Sequence, residues 1–280
     1  MTNIFCTMRL IIVSLCLPPI NFMNTFFNRK TSPDITVDYT SKVVVLATNI
    51  RNFPIISRLY KSLPIIPTKI IAKFSEMIYK VIDLSNGTIT NSNGHEIIAA
   101  WESLDEPPSY QQAVICSLIM IDRLSSLNSS LKSEDLSLVN IGIGLSTKKY
   151  FSEILMKKTT LYKTNLLLSE EIALLLNKDF IIIEIDRIML DEFSIPIYTI
   201  IGPNTFISSH HQIISYNHHN KFLRAFREKR WDIASSMAHG LKNAWHNKLR
   251  DYYVHMIEQC KYLKDHPPSE NWDDLYKIGK

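Results

Sequence analysis

Charged residues of one sign never run more than two together in this chain. Its 31 basic and 27 acidic residues are spread over 280 positions and leave a formal net charge of +4, without the basic block that nucleic-acid binders show; nucleic acid is not indicated as a partner. The four cysteines, Cys6, Cys16, Cys116 and Cys260, share no close spacing, which removes a disulfide framework and a zinc knuckle and makes a reducing, cytoplasmic setting the expectation. No unbroken apolar run reaches the roughly 20 residues that a membrane-spanning helix takes. Arg9 precedes apolar Leu10 to Leu17, Pro18-Pro19 halts the run, and Ile20 to Phe27 resumes with Asn21 and Asn24 inside it. No small-x-small cleavage site follows, so a secretory signal fits poorly. Two readings of residues 1–30 stay open: a membrane remnant that would associate the protein with the inner membrane, or an irregular start. Residues 28–40, polar with one proline, read as a linker.

What is present is a globular pattern, 46% hydrophobic and 21% charged, as in ordinary soluble domains. The run Val43 to Ile50 is β-branched and apolar, the mark of a buried strand. Ile70, Phe74, Met77 and Val81, with Ile71 and Ile78 beside them, follow the three-and-four spacing of a helix packed on a sheet, while Lys69, Lys73, Glu76 and Lys80 fall off that stripe. Asn86-Gly87 and Asn93-Gly94 punctuate two short strands as a hairpin. Glu102 to Ser109, with Pro107-Pro108, reads as a loop, and Ala113, Cys116, Met120, Leu124 and Leu127 predict a second sheet-covering helix. Val139 to Ser146 is an apolar strand broken by Gly142 and Gly144, and glycine there signals a close approach by another backbone or a ligand.

That order of elements, with these words in it, resembles the class III adenylate and guanylate cyclase catalytic domain over residues 43–201. Asn49-Ile50-Arg51-Asn52-Phe53 matches an Asp-Ile-x-Gly-Phe motif at Ile50 and Phe53 but has Asn49 for the metal-binding aspartate and Asn52 for the glycine. In the hairpin Gly87 to Trp101, the resemblance places the second metal-binding aspartate on His95 and the substrate-selecting lysine on Asn91. Glu96 stands one residue further on, and a one-residue slip in a strand turns a side chain to the opposite face, so Glu96 is not expected to replace it. After Ser146 only Thr147 to Thr164 precedes Asn165 to Glu171, which resembles the family's later strand and helix start; about half of the intervening segment is missing, with the asparagine and arginine that stabilise the transition state. Phe180 to Leu190 and Ile195 to Ile201 resemble the closing strands.

Residues 204–220 carry His210, His211, His218 and His219 without a carboxylate or cysteine among them, a poor ligand set for zinc or copper. Beyond them Phe222, Ala225, Phe226, Trp231, Ala234 and Leu241 predict a helical hairpin, and Trp245, Leu249, Tyr252, Met256, Cys260 and Leu263 one more helix, ended by Pro267-Pro268. This tail resembles the tetratricopeptide-like tail of some bacterial cyclases, closing in Pro267-Pro268-Ser269-Glu270-Asn271-Trp272-Asp273.

The resulting expectation is an α+β fold: a truncated, ferredoxin-like class III cyclase catalytic domain, mainly antiparallel with helices on one face, followed by a small α-helical tail. Its divisions are an apolar segment at 1–30, the cyclase-like domain at 31–203, and a linker with the helical tail at 204–280. The resemblance implies conversion of ATP to cyclic AMP and pyrophosphate with two Mg²⁺ ions holding nucleophile and leaving group, at a homodimer or heterodimer interface with another cyclase. Magnesium takes hard oxygen ligands, chiefly carboxylates; Asn49 offers a neutral amide and His95 an imidazole suited to softer metals. Asn91 cannot supply the lysine's charge. No intact catalytic residue is therefore expected, Mg²⁺ or Mn²⁺ and ATP enter only if activity remains, and a catalytically silent partner or regulatory subunit, or a remnant without function, are the alternatives.

Overall fold

A computed structural model of the chain describes residues 43–102, 108–190, 193–204 and 210–268. The expectations for residues 1–42, for the centre of the Glu102 to Ser109 loop and for the closing Trp272-Asp273 lie outside the described residues. In chain order the elements are β1 (Val44–Ile50), α1 (Phe53–Leu59), α2 (Ile65–Leu84), β2 (Thr88–Ser92), β3 (Glu96–Trp101), α3 (Ser109–Ser133), β4 (Ile141–Ser146), α4 (Lys149–Tyr162), β5 (Leu166–Leu168), α5 (Glu170–Leu176), β6 (Phe180–Leu190), β7 (Phe193–Pro203), α6 (His210–Arg227), α7 (Trp231–Leu241), a 3₁₀ turn at Ala244–Asn247 and α8 (Arg250–Asp265).

The strands form one sheet in the order β2-β3-β1-β4-β5-β7-β6. All pairs are antiparallel except β4 with β5, and a parallel pair needs a crossover, which α4 supplies. On one face lie α2 and α3, where the three-and-four stripe buries Ile70, Phe74, Ile78 and Val81. Trp101 reaches this side: its indole N–H donates to the Ser85 carbonyl at 2.7 Å. A Cβ on Gly87 would meet that ring at 2.5 Å, so only glycine lets the chain leave α2 so close to it. In the hairpin between β2 and β3, Gly94 takes a positive φ of 92°, a conformation glycine adopts without strain, and the Asn93 side-chain oxygen accepts from the Glu96 N–H at 2.9 Å.

The helices do not keep to one face. Val45, Ala47, Ile98 and Ala100 alternate away from α2 and pack instead against Met156 of α4. Further along the sheet, Phe151, Leu155 and Tyr162 of α4 enter one cluster with Ile183 and Ile185 of β6 and with Phe222, Ala234, Tyr252 and Met256 of the last three helices. The tail is thus the second half of a core that α4 begins. Its first helix starts at His210, inside the stretch read from sequence as a linker. The last helix starts at Arg250 rather than at Trp245, because Trp245, His246 and Asn247 take positive φ values of 50°, 56° and 64° and cannot continue a right-handed helix.

Candidate functional site

Asn49 and Glu96 meet at the C-terminal end of β1, on the face that α4 covers. Asn49 lies across from Glu96 on one side and from Gly142 on the other, and directly opposed residues share a face. The strand register sets the two hairpin candidates apart. Glu96 is the side chain that shares the face of Asn49. His95 alternates to the other face, where its ring stacks on Phe53 with centroids 4.3 Å apart. Register between two strands, invisible in either strand alone, produces the exchange. Asn91 pairs with Ile98 beyond a bulge at Thr90, so it lies on the same face as Asn49 but on the exposed edge strand.

What stands over Asn49 is protein. A Cβ placed on Gly142 would fall on the Thr159 hydroxyl and, at 2.7 Å, on the Asn49 side-chain oxygen; one on Gly144 would fall on the Ser152 carbonyl. The two glycines therefore do mark a close approach, and the approaching backbone is α4. The Asn49 oxygen is buried between these groups with no hydrogen-bond partner.

Arg51, at the open position of the motif, and Asn52, its second departure, hold this arrangement. Arg51 donates to the Thr164 carbonyl at 2.5 Å and to the Thr159 carbonyl at 3.3 Å, closing the C-terminal end of α4. Burial pulls its guanidinium below the usual range, and Asp251 of α8 partly offsets this. Asn52 donates to the Leu138 carbonyl at 2.9 Å and accepts from the Asn140 N–H at 2.8 Å, tying the start of α1 to the entry of β4. Sequence reasoning missed α4 and Arg51. Phe151, Leu155, Thr159 and Tyr162 carry the helical spacing that would have revealed the helix.

These residues do not fit a pair of magnesium ions. Glu96 contributes one carboxylate, Asn49 an amide whose oxygen is buried, and His95 stacks on Phe53. Among the described residues, no group of three or more histidine, cysteine, aspartate or glutamate side chains is placed to hold a metal ion.

The histidines at the tail have another use. His219 is fully buried; its Nε2–H donates to the Glu184 carbonyl at 2.6 Å, which fixes the tautomer, and its Nδ1 accepts from the Tyr253 hydroxyl at 2.8 Å. Desolvation pushes its pKa down to about 4. The Tyr252 hydroxyl donates to the Ile185 carbonyl at 2.8 Å, and Arg227 pairs with Glu184 at 2.5 Å. Ile185 is the extra residue of a bulge in β6, so the tail satisfies carbonyls where the ladder is interrupted.

No family model matches the chain, and no curated protein matches it. Among solved structures it is similar to the guanylyl cyclase Cya2, with a TM-score of 0.50 at 16% identity over 58% of this chain and 92% of that one. The fold is that of a class III cyclase catalytic domain. The adenylyl cyclase CyaB from P. aeruginosa gives 0.48 at 14% identity over 56% and 92% of the two chains. A bacterial light-regulated adenylyl cyclase gives 0.47 at 18% over 56% and 88%. At such identities the likeness carries the fold of the cyclase-like domain and not its activity.

Proposed function

We propose that this cyclase-fold chain is catalytically silent and acts by binding, as the partner or regulatory subunit of another cyclase or of its own copy. The observation that carries the reading is the buried oxygen of Asn49: the position that should present a metal-binding carboxylate presents a neutral amide, its oxygen closed in beside Gly142 and Thr159. Divalent metal needs that face open and negatively charged, and a nucleoside triphosphate, itself an anion, needs the metal there to receive its phosphates. Asn91 brings no charge to the base-selecting position, and α4, reading Lys149 to Tyr162, contains neither asparagine nor arginine.

A residual enzyme is the second reading, favoured only by Glu96, whose carboxylate shares the face of Asn49. One experiment tests both. Purified full-length chain is incubated with ATP or GTP and Mg²⁺ or Mn²⁺, and cyclic nucleotide is measured against a heat-killed control. No product is expected from the parent or from Asn49→Asp, because restoring the carboxylate does not move α4. Product from the parent that disappears in Glu96→Gln would overturn silence and assign Glu96 as the metal ligand. Co-purification with a full-length cyclase at near-equal stoichiometry is the expected sign of the partner role.

A further inference from the structure

We propose that the turn from α1 into α2 is a docking surface for an anionic lipid headgroup layer, a role independent of the silent-partner reading. Four large aliphatic side chains project from it: Ile55 is 68% exposed, Leu59 66%, Leu63 56% and Ile65 71%. Ile55, Leu59 and Leu63 are spaced by four, so they line the outward side of α1 and its exit, whereas Ile56 is turned into the core. Leu138, whose carbonyl accepts from Asn52, adds another half-exposed aliphatic beside α1. Arg58 and Lys61 flank the stripe and are exposed.

The charge around the stripe has one sign over a long stretch. From Arg51 through Ser75 the chain has five cations, Arg51, Arg58, Lys61, Lys69 and Lys73, and no aspartate or glutamate. Arg51 is spent on α4. Lys69 and Lys73 share the single carboxylate of Glu134, at 2.7 and 2.6 Å, so even that cluster keeps a positive charge. Asp135 and Lys132, beside Glu134 at the end of α3, offset each other. Arg58 and Lys61 thus sit next to the aliphatic stripe with no acidic neighbour within their own stretch.

This composition separates a lipid surface from a protein partner. Protein interfaces concentrate tyrosine, tryptophan, methionine and arginine, and are poor in lysine. Aliphatic side chains set among lysine and arginine instead suit the boundary of an anionic bilayer, where the apolar groups enter the acyl edge and the cations stay among the headgroups.

The test is co-sedimentation of the full-length chain with vesicles of phosphatidylcholine alone and of phosphatidylcholine doped with phosphatidylglycerol, read as the ratio of the two partition coefficients. A ratio well above one that collapses at high salt is expected. Arg58→Gln with Lys61→Gln should lower it roughly 25-fold, about fivefold per cation. Ile55→Ser with Leu59→Ser should lower partitioning to both vesicle types, while circular dichroism stays unchanged because both side chains are exposed. A ratio near one, or one that the cation pair leaves untouched, would overturn the proposal and place any vesicle binding elsewhere in the chain, including residues 1–30. If Ile55→Ser with Leu59→Ser dissolves an oligomer and leaves vesicle partitioning as it was, the stripe is a protein interface and the proposal fails.

Discussion

At the bulge of β6 the sheet's interrupted carbonyls are met one by one, Glu184 by His219 and Ile185 by Tyr252, and His219 is itself held by Tyr253. At the end of β1, on the same sheet, the Asn49 oxygen is buried with no partner at all. A buried polar group without a partner costs more than one with its hydrogen bonds made. Side-chain hydrogen bonds to Glu184 and Ile185 thus fasten the tail to β6, where Arg187 Nε and Trp245 Nε1 are nonetheless buried without a partner, and the end of β1 is held by packing with Arg51 and Asn52.

The contrast can be broken most forcefully at Gly144. A side chain there would drive into the backbone of α4 at Ser152, and Gly144→Val should destabilise the protein by about 3 kcal/mol, the upper range of overpacking, measured as a fall in the thermal midpoint. A small effect would mean that α4 can lift from β4, and that the face over Asn49 opens.

Acid tests the other region. His219 is held neutral, with its pKa at about 4 against an ordinary value of 6.5. The folded state therefore binds fewer protons than the unfolded one between these values. The stability contributed is complete above about pH 6.5 and is lost as pH falls toward 4, up to about 3 kcal/mol from this group. Chemical denaturation at a series of pH values should show this slope, and His219→Phe should flatten it.

The finest comparison removes one polar group from each region. Tyr252→Phe leaves the Ile185 carbonyl buried and unpaired and should cost about 1–2 kcal/mol. Asn49→Ala removes an oxygen that has no partner to lose, and should stay within about 1 kcal/mol of the parent. Equal costs in denaturant titrations would erase the distinction.

Much of this was legible in residue order. The apolar runs of β1, β4 and β6 and the stripes of α2 and α3 announce themselves by period, because burial on a sheet or along a helix enforces it. Phe222, Phe226, Tyr252 and Met256 likewise fall in the core that their spacing predicts. What stayed hidden depended on relations between distant segments. The exchange of His95 for Glu96 is a matter of register against β1, and the fate of Asn49 is decided by α4, more than a hundred residues later. His218 and His219 are adjacent and alike in sequence, yet only His219 meets β6, a distinction that belongs to the packing of α6 and not to any motif.

The shared core of α4, β6 and the last three helices also sets a timetable for synthesis. Its members run from Phe151 to Cys260, so a chain still on the ribosome exposes the apolar side of α4 and the broken ladder of β6 until α8 has emerged. Domains that complete late leave adhesive surface open for longer. For this protein the vulnerable interval ends only when α8 has been made.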